Sequence, residues 1–264
     1  MRAGWYIARR GLLRQWRALV LIAAVLGIGG GVAMACIAGA RSTASAYPRF
    51  LEDARAPDLI VDSDFADADR FLEEVDRLPG VVARSDAAAM SVVRVVDGVP
   101  IRSDPGLALA SADGERFYSA DRVHVLEGRL PDPERPDEVL VNERAAEGHG
   151  IAVGDSLDLT SVAVEALEAF VMEGSPVTGS PLNLTVTGIG EFPEEVVVEE
   201  AYAEPKVLLT PAQYDQLGPE QVLYRRAGLD LEPGTDVIAL RKAIDDLATD
   251  FGEGVIFEER SDIT

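Results

Sequence analysis

Residues 18–40, from Ala18 to Ala40, contain no charged side chain, while residues 1–17 carry Arg2, Arg9, Arg10, Arg14 and Arg17 and no acid. A helix rises about 1.5 Å per residue, so about 20 apolar residues cross a hydrocarbon core about 30 Å thick. The run is long enough and predicts one transmembrane helix. Arginines that flank a first span keep their side of it in the cytoplasm. That places 1–17 inside the cell and predicts that residues 41–264 fold outside the cytoplasm, hung from a single-pass anchor.

The charge distribution agrees with this division. The chain holds 24 basic and 46 acidic residues. With five arginines before the span, the exported part keeps 19 basic residues against 46 acids, a net charge of −27. Such a surface repels nucleic acid and anionic headgroups, which carry the same sign of charge, so nucleic acid is not an expected partner. Cys36 is the only cysteine and lies inside the apolar run, which leaves the exported part without a disulfide. Its roughly 220 residues are enough to bury well over half of their unfolded surface.

Cys36 also raises a rival reading, a lipoprotein signal. Ala33 and Met34 fit a lipobox poorly, and the run exceeds the 7–15 residues usual for a secretory apolar region. The same excess length disfavours cleavage after Ala38-Gly39-Ala40. A retained helix is the better reading. Within it Ala23, Gly27, Gly31, Ala35 and Gly39 recur every four residues and form one smooth face. Small residues at that spacing let helix backbones approach closely in lipid, which predicts partner helices. The segment Trp5 to Trp16 interleaves aromatic and apolar residues with arginines, as an interfacial helix or an orienting flank does.

Residues 41–57 read as a juxtamembrane linker, and 58–264 as an extracytoplasmic domain. A short strand, Leu59 to Val61, precedes Asp62, Asp64, Asp67 and Asp69, and then Phe71, Leu72, Val75 and Leu78 line one helical face. Pro79-Gly80 stops the helix and Val81 to Arg84 supplies a strand. The four aspartates lack the glycine and closing glutamate of an EF-hand loop, so helix capping and first-turn dipole stabilisation account for them.

A second strand–helix–strand unit closes the chain. It comprises Val222 to Leu231, a helix capped by Thr235 or Asp236 with Val237, Leu240, Ile244, Leu247 and Phe251 facing inward, and Val255 to Phe257. Two such units pair into one sheet with both helices on one side, a split βαβ…βαβ ferredoxin-like lobe. Residues 98–220 are then an inserted β-rich lobe. They follow a hairpin of Met90 to Val96 and Val99 to Ile101 around Asp97-Gly98, and carry strands at Glu138 to Val141, Ser156 to Thr160, Leu182 to Ile189 and Lys206 to Leu209. Short helices start after Asn142 and after Thr210-Pro211, and 174–181 is a loop. The fold class is α+β, a transmembrane helix followed by a two-lobed domain.

Catalytic constellations do not stand out. His124 and His149 have no second ligand at metal spacing, and neither a nucleophile elbow nor a phosphate loop occurs. Acid pairs carry no information among 46 acids. The expectation is a non-enzymatic chain without a cofactor, metal or catalytic residue.

Three segments carry a family resemblance. The first, "WRALVLIAAVLGIGGGVAMACIAGARSTASAYPRFL", resembles the first helix and exit of bacterial FtsX-like permeases of ABC transporters. The second, "EGRLPDPERPDEVLVNERAAEGHGIAVGDSLDL", resembles the signature of their MacB-like periplasmic core domain. In it Gly128-Arg129 precedes Asp137-Glu138, a strand ends in Asn142, and Val153-Gly154-Asp155 forms a turn. The third, "LTVTGIGEF", is similar to a later strand of that domain. Physically, Gly154-Asp155 suits a tight reversal and Asn142 a helix cap, so Gly128, Arg129, Glu138, Asn142, Val153, Gly154 and Asp155 read as fold-keeping residues.

The resemblance implies a bacterial cell membrane location and partners absent from these residues: further permease helices, a cytoplasmic ABC ATPase, a second permease subunit and membrane lipid. It also implies that this is the opening portion of a permease, whose ectodomain moves when the ATPase closes the helices, for export or mechanotransmission. The alternatives are a signalling permease that activates a cell-wall hydrolase, and a secreted or lipid-anchored binding protein.

Overall fold

The computed structural model describes residues 48–64, 67–173, 175–176, 179–197, 204–251 and 255–259, together with scattered positions between 20 and 34. Residues 1–50 and 51–264 form separate compact units. In the first, the described positions between 20 and 34 are helical, and their large apolar side chains are open, with Ile28 69% and Met34 76% exposed. Gly27 and Gly31 lie in open space. Ala23, Ala35, Gly39 and the basic segment 1–17 lie outside the described residues, so the predicted span is described only in part. No helix among the described residues is long and apolar enough to cross a membrane.

In the second unit a helical stretch, 51–54, leads into β1 (Leu59–Ser63), α1 (Ala68–Val75), β2 (Val81–Val96), β3 (Val99–Ser111) and β4 (His124–Gly128). Next come β5 (Glu138–Asn142), α2 (Glu143–His149), β6 (Ser156–Val162), α3 (Val164–Glu168), which passes into a π-helical turn at 169–173, and β7 (Gly179–Glu191). The chain continues through β8 (Lys206–Leu209), α4 (Pro211–Tyr214), β9 (Val222–Leu231), α5 (Val237–Asp250) and β10 (Ile256–Glu259).

At one end the strands run β10-β1-β9-β2, antiparallel throughout. Leu59 and Val61 of β1 and Ala227 and Leu229 of β9 point to one face, as the two-residue side-chain period of a strand requires. Phe71, Leu72 and Val75 of α1 and Leu240, Ile244 and Ala248 of α5 pack onto the same cluster, so both helices cover one side of the sheet. Each fully buried Leu, Val, Ile or Phe there contributes about 1.5–3 kcal/mol relative to exposure. The ends of these helices follow local chemistry. Asp236 caps α5 by accepting from the Ala239 amide at 3.0 Å, and Thr210 caps α4 by accepting from Gln213 at 3.1 Å.

At the other end the sheet closes on itself. β2 pairs with β3, β3 with β8, β8 with β5, β5 with β7, β7 with β6, and β6 returns to β2. The ring is a six-stranded barrel, with β4 attached outside it along β7. Alternate residues of all six strands fill its interior, among them Met90, Ala108, Val141, Leu159, Leu184 and Leu209. Closure removes the free strand edges that an open sheet of this length would expose.

Three local expectations change, the first being the loop read at 174–181, whose last three residues, Gly179–Pro181, already pair with β6 as the start of β7. Val81 to Arg84 and Met90 to Val96 are not separate strands, because β2 runs unbroken through Ser85–Ala89. The three alanines favour helix by propensity, yet here they lie between β9 and β3 with no exposure, where only small side chains fit. Asp62 is not a helix cap either. It lies within β1, opposite Arg226, and Asp67 at the start of α1 makes no capping hydrogen bond. The Asp97-Gly98 hairpin has positive φ at both residues, 51° and 75°, as the tight turn that matches strand twist requires.

Candidate functional site

The seven residues that carry the family resemblance lie between positions 128 and 155, and all but Val153 pair with or bond to one strand, β7. Gly128, with φ +76°, faces Gly188 across the β4–β7 pair, and a Cβ at Gly128 would stand 2.3 Å from the Thr187 carbonyl oxygen. A Cβ at Gly188 would stand 2.4 Å from the Arg129 carbonyl oxygen. The two backbones therefore cross in contact, and the Arg129 amide donates to Thr187 O at 2.9 Å. Val153 packs beside Gly128, and the Gly154 amide donates to Val186 O at 2.8 Å. Asp155 closes its own turn, with Oδ2 accepting from the Ala152 amide at 2.9 Å, while its carbonyl accepts from the Val186 amide at 2.9 Å. Residues 186–188 are thus clamped from both sides.

Arg129 and Glu138 brace this clamp. The guanidinium donates to both carboxylate oxygens of Glu138 at 2.7 Å, and the Asp132 amide adds a third bond at 2.9 Å. Paired donors of this geometry recognise a carboxylate strongly. The Arg129 bonds, ahead of the opposing effect of burial, hold the Glu138 carboxyl below the ordinary glutamate range.

Asn142 caps α2 and reaches further. Its Oδ1 accepts from the Ala145 amide at 2.9 Å and from the Lys206 amide at 3.0 Å, and its Nδ2 donates to Glu195 Oε1 at 2.7 Å and Glu204 O at 2.8 Å. All four hydrogen-bonding positions of the amide are in use. Asn142 thereby enters a buried charge network for which the residue spacing gave no warning. Arg226 of β9 grips Asp62 of β1 through two bonds of 2.8 Å and donates to Glu194 at 2.9 Å. Glu194 accepts from Lys206 of β8 at 2.8 Å, and Lys206 lies 3.5 Å from Glu195. A continuous path runs Asp62–Arg226–Glu194–Lys206–Glu195–Asn142, from the helix-covered sheet to the barrel.

Its electrostatics follow from burial. Burial alone would raise the Glu194 carboxyl, but Arg226 and Lys206 overcome that and hold it at about 2. Burial likewise disfavours the charged forms of Lys206 and Arg226, yet Glu194 foremost keeps both protonated well into the alkaline range. Glu195 is pushed up by burial, only partly offset by Lys206 and Asn142. A second ion pair lies nearby: Arg116, fully buried, donates to Asp121 at 2.7 Å. A Cβ at Gly228 of β9 would fall 2.3 Å from the Arg116 Nη1, so glycine there makes room for the guanidinium.

Asp62 and Arg226 are 164 positions apart, and in so acidic a chain no carboxylate singles itself out. The usable signal is the rarer charge: Lys206 and Arg226 are bases set in apolar strand runs, where a charge needs a buried partner. Elsewhere a groove of 690 Å³ opens along Asp69, Tyr214, Tyr224 and Arg225. Arg225 is held there by Tyr214 at 2.9 Å and Asp69 at 3.2 Å. Among the described residues no three His, Cys, Asp or Glu side chains converge as metal ligands. The clamp and the network hold backbone in place and present no nucleophile beside a base.

No protein-family model matches the chain, and no curated protein matches it. Solved structures do. The periplasmic region of MacB from Actinobacillus actinomycetemcomitans is similar over 80% of this chain and 92% of its own, at 10% identity and a TM-score of 0.45. The extracellular domain of YknZ, a noncanonic ABC-type transporter from Gram-positive bacteria, is similar over 76% of this chain and 100% of its own, at 11% identity and a TM-score of 0.44. The structural neighbours are thus periplasmic and extracellular domains.

Proposed function

We propose that this chain is the N-terminal portion of an FtsX-like ABC transporter permease. Residues 1–17 face the cytoplasm, 18–40 cross the membrane, and 58–264 form an extracytoplasmic domain with a helix-covered ferredoxin-like lobe and an inserted barrel lobe. The chain is not an enzyme. It carries motion, driven by a cytoplasmic ATPase and shared with further permease helices and a second permease subunit, to the outside of the membrane. One observation carries the reading: six of the seven residues on which the resemblance rests, all but Asn142, form one physical device, the Gly128–Gly188 crossing with its Arg129–Glu138 brace and Val153–Asp155 turn. A chance likeness of short segments has no reason to converge in space.

The topology is tested with a membrane-impermeant maleimide on intact cells, in a chain carrying Cys36→Ser. Asp245→Cys, on the exposed side of α5, is expected to label directly. Ala3→Cys is expected to label only after permeabilisation. The reverse pattern overturns the topology. The transporter assignment is tested by immunoprecipitating the chain from its native membranes in mild detergent. Vanadate-sensitive ATPase activity is expected in the precipitate, and its absence overturns the permease reading.

A further inference from the structure

We propose that the turn at 193–195 is a latch that locks the helix-covered sheet to the barrel, with Glu194 as its bolt. The inference concerns the domain alone and stands whether or not the transport reading holds. Glu194 lies on the 3-10 turn after β7, so it belongs in sequence to the barrel side. One of its oxygens accepts from Arg226, and Asp62 grips Arg226 from the central strand of the helix-covered sheet. The other accepts from Lys206, the first residue of β8, which pairs within the barrel to β3 and β5.

The neighbouring Glu195 doubles the hold. It accepts from Asn142 at the end of β5 and, through Oε2, from the Phe192 amide at 3.1 Å, so the turn cannot swing away while those bonds stand. Aromatic rings close the site. The Lys206 ammonium sits 5.9 Å from the Phe192 ring centroid, Phe192 meets Phe117 edge-on at 5.6 Å, and the Arg226 guanidinium sits 5.7 Å from the Tyr224 ring. Water is largely excluded, since the side chains of Glu194, Arg226 and Lys206 are 10%, 11% and 14% exposed.

Burial decides why this acts as a latch and not as a surface ornament. An exposed ion pair breaks at little cost, whereas removing one member of a buried pair leaves its partners as uncompensated charges. Glu194 has two such partners on opposite sides of the junction. The two halves therefore cannot part without breaking the Arg226–Glu194 bond in a dry site, which leaves the sheet with only Asp62 against Arg226 and the barrel with two glutamates, Glu194 and Glu195, against Lys206.

Hydrogen–deuterium exchange of the full chain in detergent micelles tests the proposal. Glu194→Gln keeps the shape of the side chain and removes its charge. It is expected to raise exchange about tenfold or more in β1 and β9 and, together with them, in β5 and β8, since losing one member of a buried pair is strongly destabilising. Glu138→Gln, which weakens a brace inside the barrel half, is the control and is expected to leave β1 unchanged. Should Glu194→Gln fail to fold, Asp62→Asn serves instead. It touches only the sheet side, yet is expected to raise exchange in the peptide of 206–209 at least about threefold, the scale of coupling between residues of one network. A response confined to 192–197, or to one half only, overturns the latch for either variant.

Discussion

Three glycines separate two physical effects, and their alanine variants are expected to rank in a fixed order. Gly154 has φ +96° with nothing near a prospective Cβ, so Gly154→Ala carries the left-handed backbone strain alone, about 1–2 kcal/mol. Gly188 has no positive φ, but a Cβ there falls 2.4 Å from the Arg129 carbonyl oxygen, so Gly188→Ala carries the clash alone. A backbone obstacle cannot rotate away, and overpacking of this kind costs about 1–3 kcal/mol. Gly128 combines the two, with φ +76° and a prospective contact of 2.3 Å with Thr187 O. Its replacement is expected to cost about 2–5 kcal/mol, the sum of strain and overpacking. For a domain of this size 1 kcal/mol moves the midpoint by about 2–4 °C. Thermal melts of the full chain in detergent, followed by near-ultraviolet circular dichroism, should therefore show Gly128→Ala melting about 4–20 °C below the wild type. Gly188→Ala and Gly154→Ala should both melt higher than Gly128→Ala. If Gly128→Ala melts no lower than Gly154→Ala, β4 yields freely at the crossing and the clamp does not exist as described.

Asn142→Ala strips the α2 cap and leaves the Lys206 amide and Glu195 without that partner, so a loss of about 2–4 kcal/mol is expected by denaturant titration, more than a lost cap alone would give. Glu138 has a lowered pKa in the fold, so the stability it adds is present above the unfolded value near pH 4.3 and is lost as pH falls through the folded one. The midpoint gap between wild type and Glu138→Gln should therefore be widest at neutral pH and close in acid; a gap independent of pH refutes the ionic brace. Glu194, held at about 2, follows the same sign over a wider window. Its contribution is whole above pH 4.5 and fades toward pH 2, so Glu194→Gln should flatten the acid limb of the stability curve, and an unchanged limb would refute the assignment.

Periodicity and punctuation carried most of the elements. Phe71, Leu72 and Val75 at helical spacing gave α1, which ends at Val75 and not at Pro79-Gly80, leaving Leu78 beyond it, and Thr210-Pro211 gave the start of α4. Strand β8 spans Lys206–Leu209, the bounds read from the apolar run Val207–Leu209 and the lysine that opens it. β4 was missed because His124–Gly128 is largely exposed and borders β7 on one side only, so it lacks a buried alternation. The length of β2 was hidden by Ala87–Ala89, whose burial on both faces comes from tertiary packing. Of the site, Asn142 and Gly154 were legible because caps and turns are local chemistry. The resemblance singled out Arg129 and Glu138 but not their pairing, which joins residues nine positions apart and is seen only in the structure. The network of Asp62, Arg226, Glu194 and Lys206 joins residues on four separate elements, and no short-range pattern encodes that. Closure of the barrel was equally silent, since the β6–β2 pairing depends on register between distant segments.

The two halves of the unit 51–264 are tied twice, and the ties have different physics. One is covalent and continuous: β2 leaves the β9 side at Met90 and is already paired with β3 from Ala87, so Ala87–Met90 are bonded on both edges and fully buried. A hinge there would open hydrogen bonds on two sides at once, each worth about 1 kcal/mol net, and expose the alanine run to water. The other tie is ionic and buried, and it resists separation because the Arg226–Glu194 pair would have to break in a site from which water is largely excluded. Two ties at different points remove the rotation that a single tie would leave. On the transport reading, a displacement delivered by the membrane helix then reaches the barrel as movement of one rigid body. Spin labels on Asp245→Cys of α5 and Asp158→Cys of β6, in a Cys36→Ser chain, are therefore expected to keep one distance through the ATPase cycle. A second distance that appears with nucleotide would mean that the junction opens, and the rigid-body argument would fail.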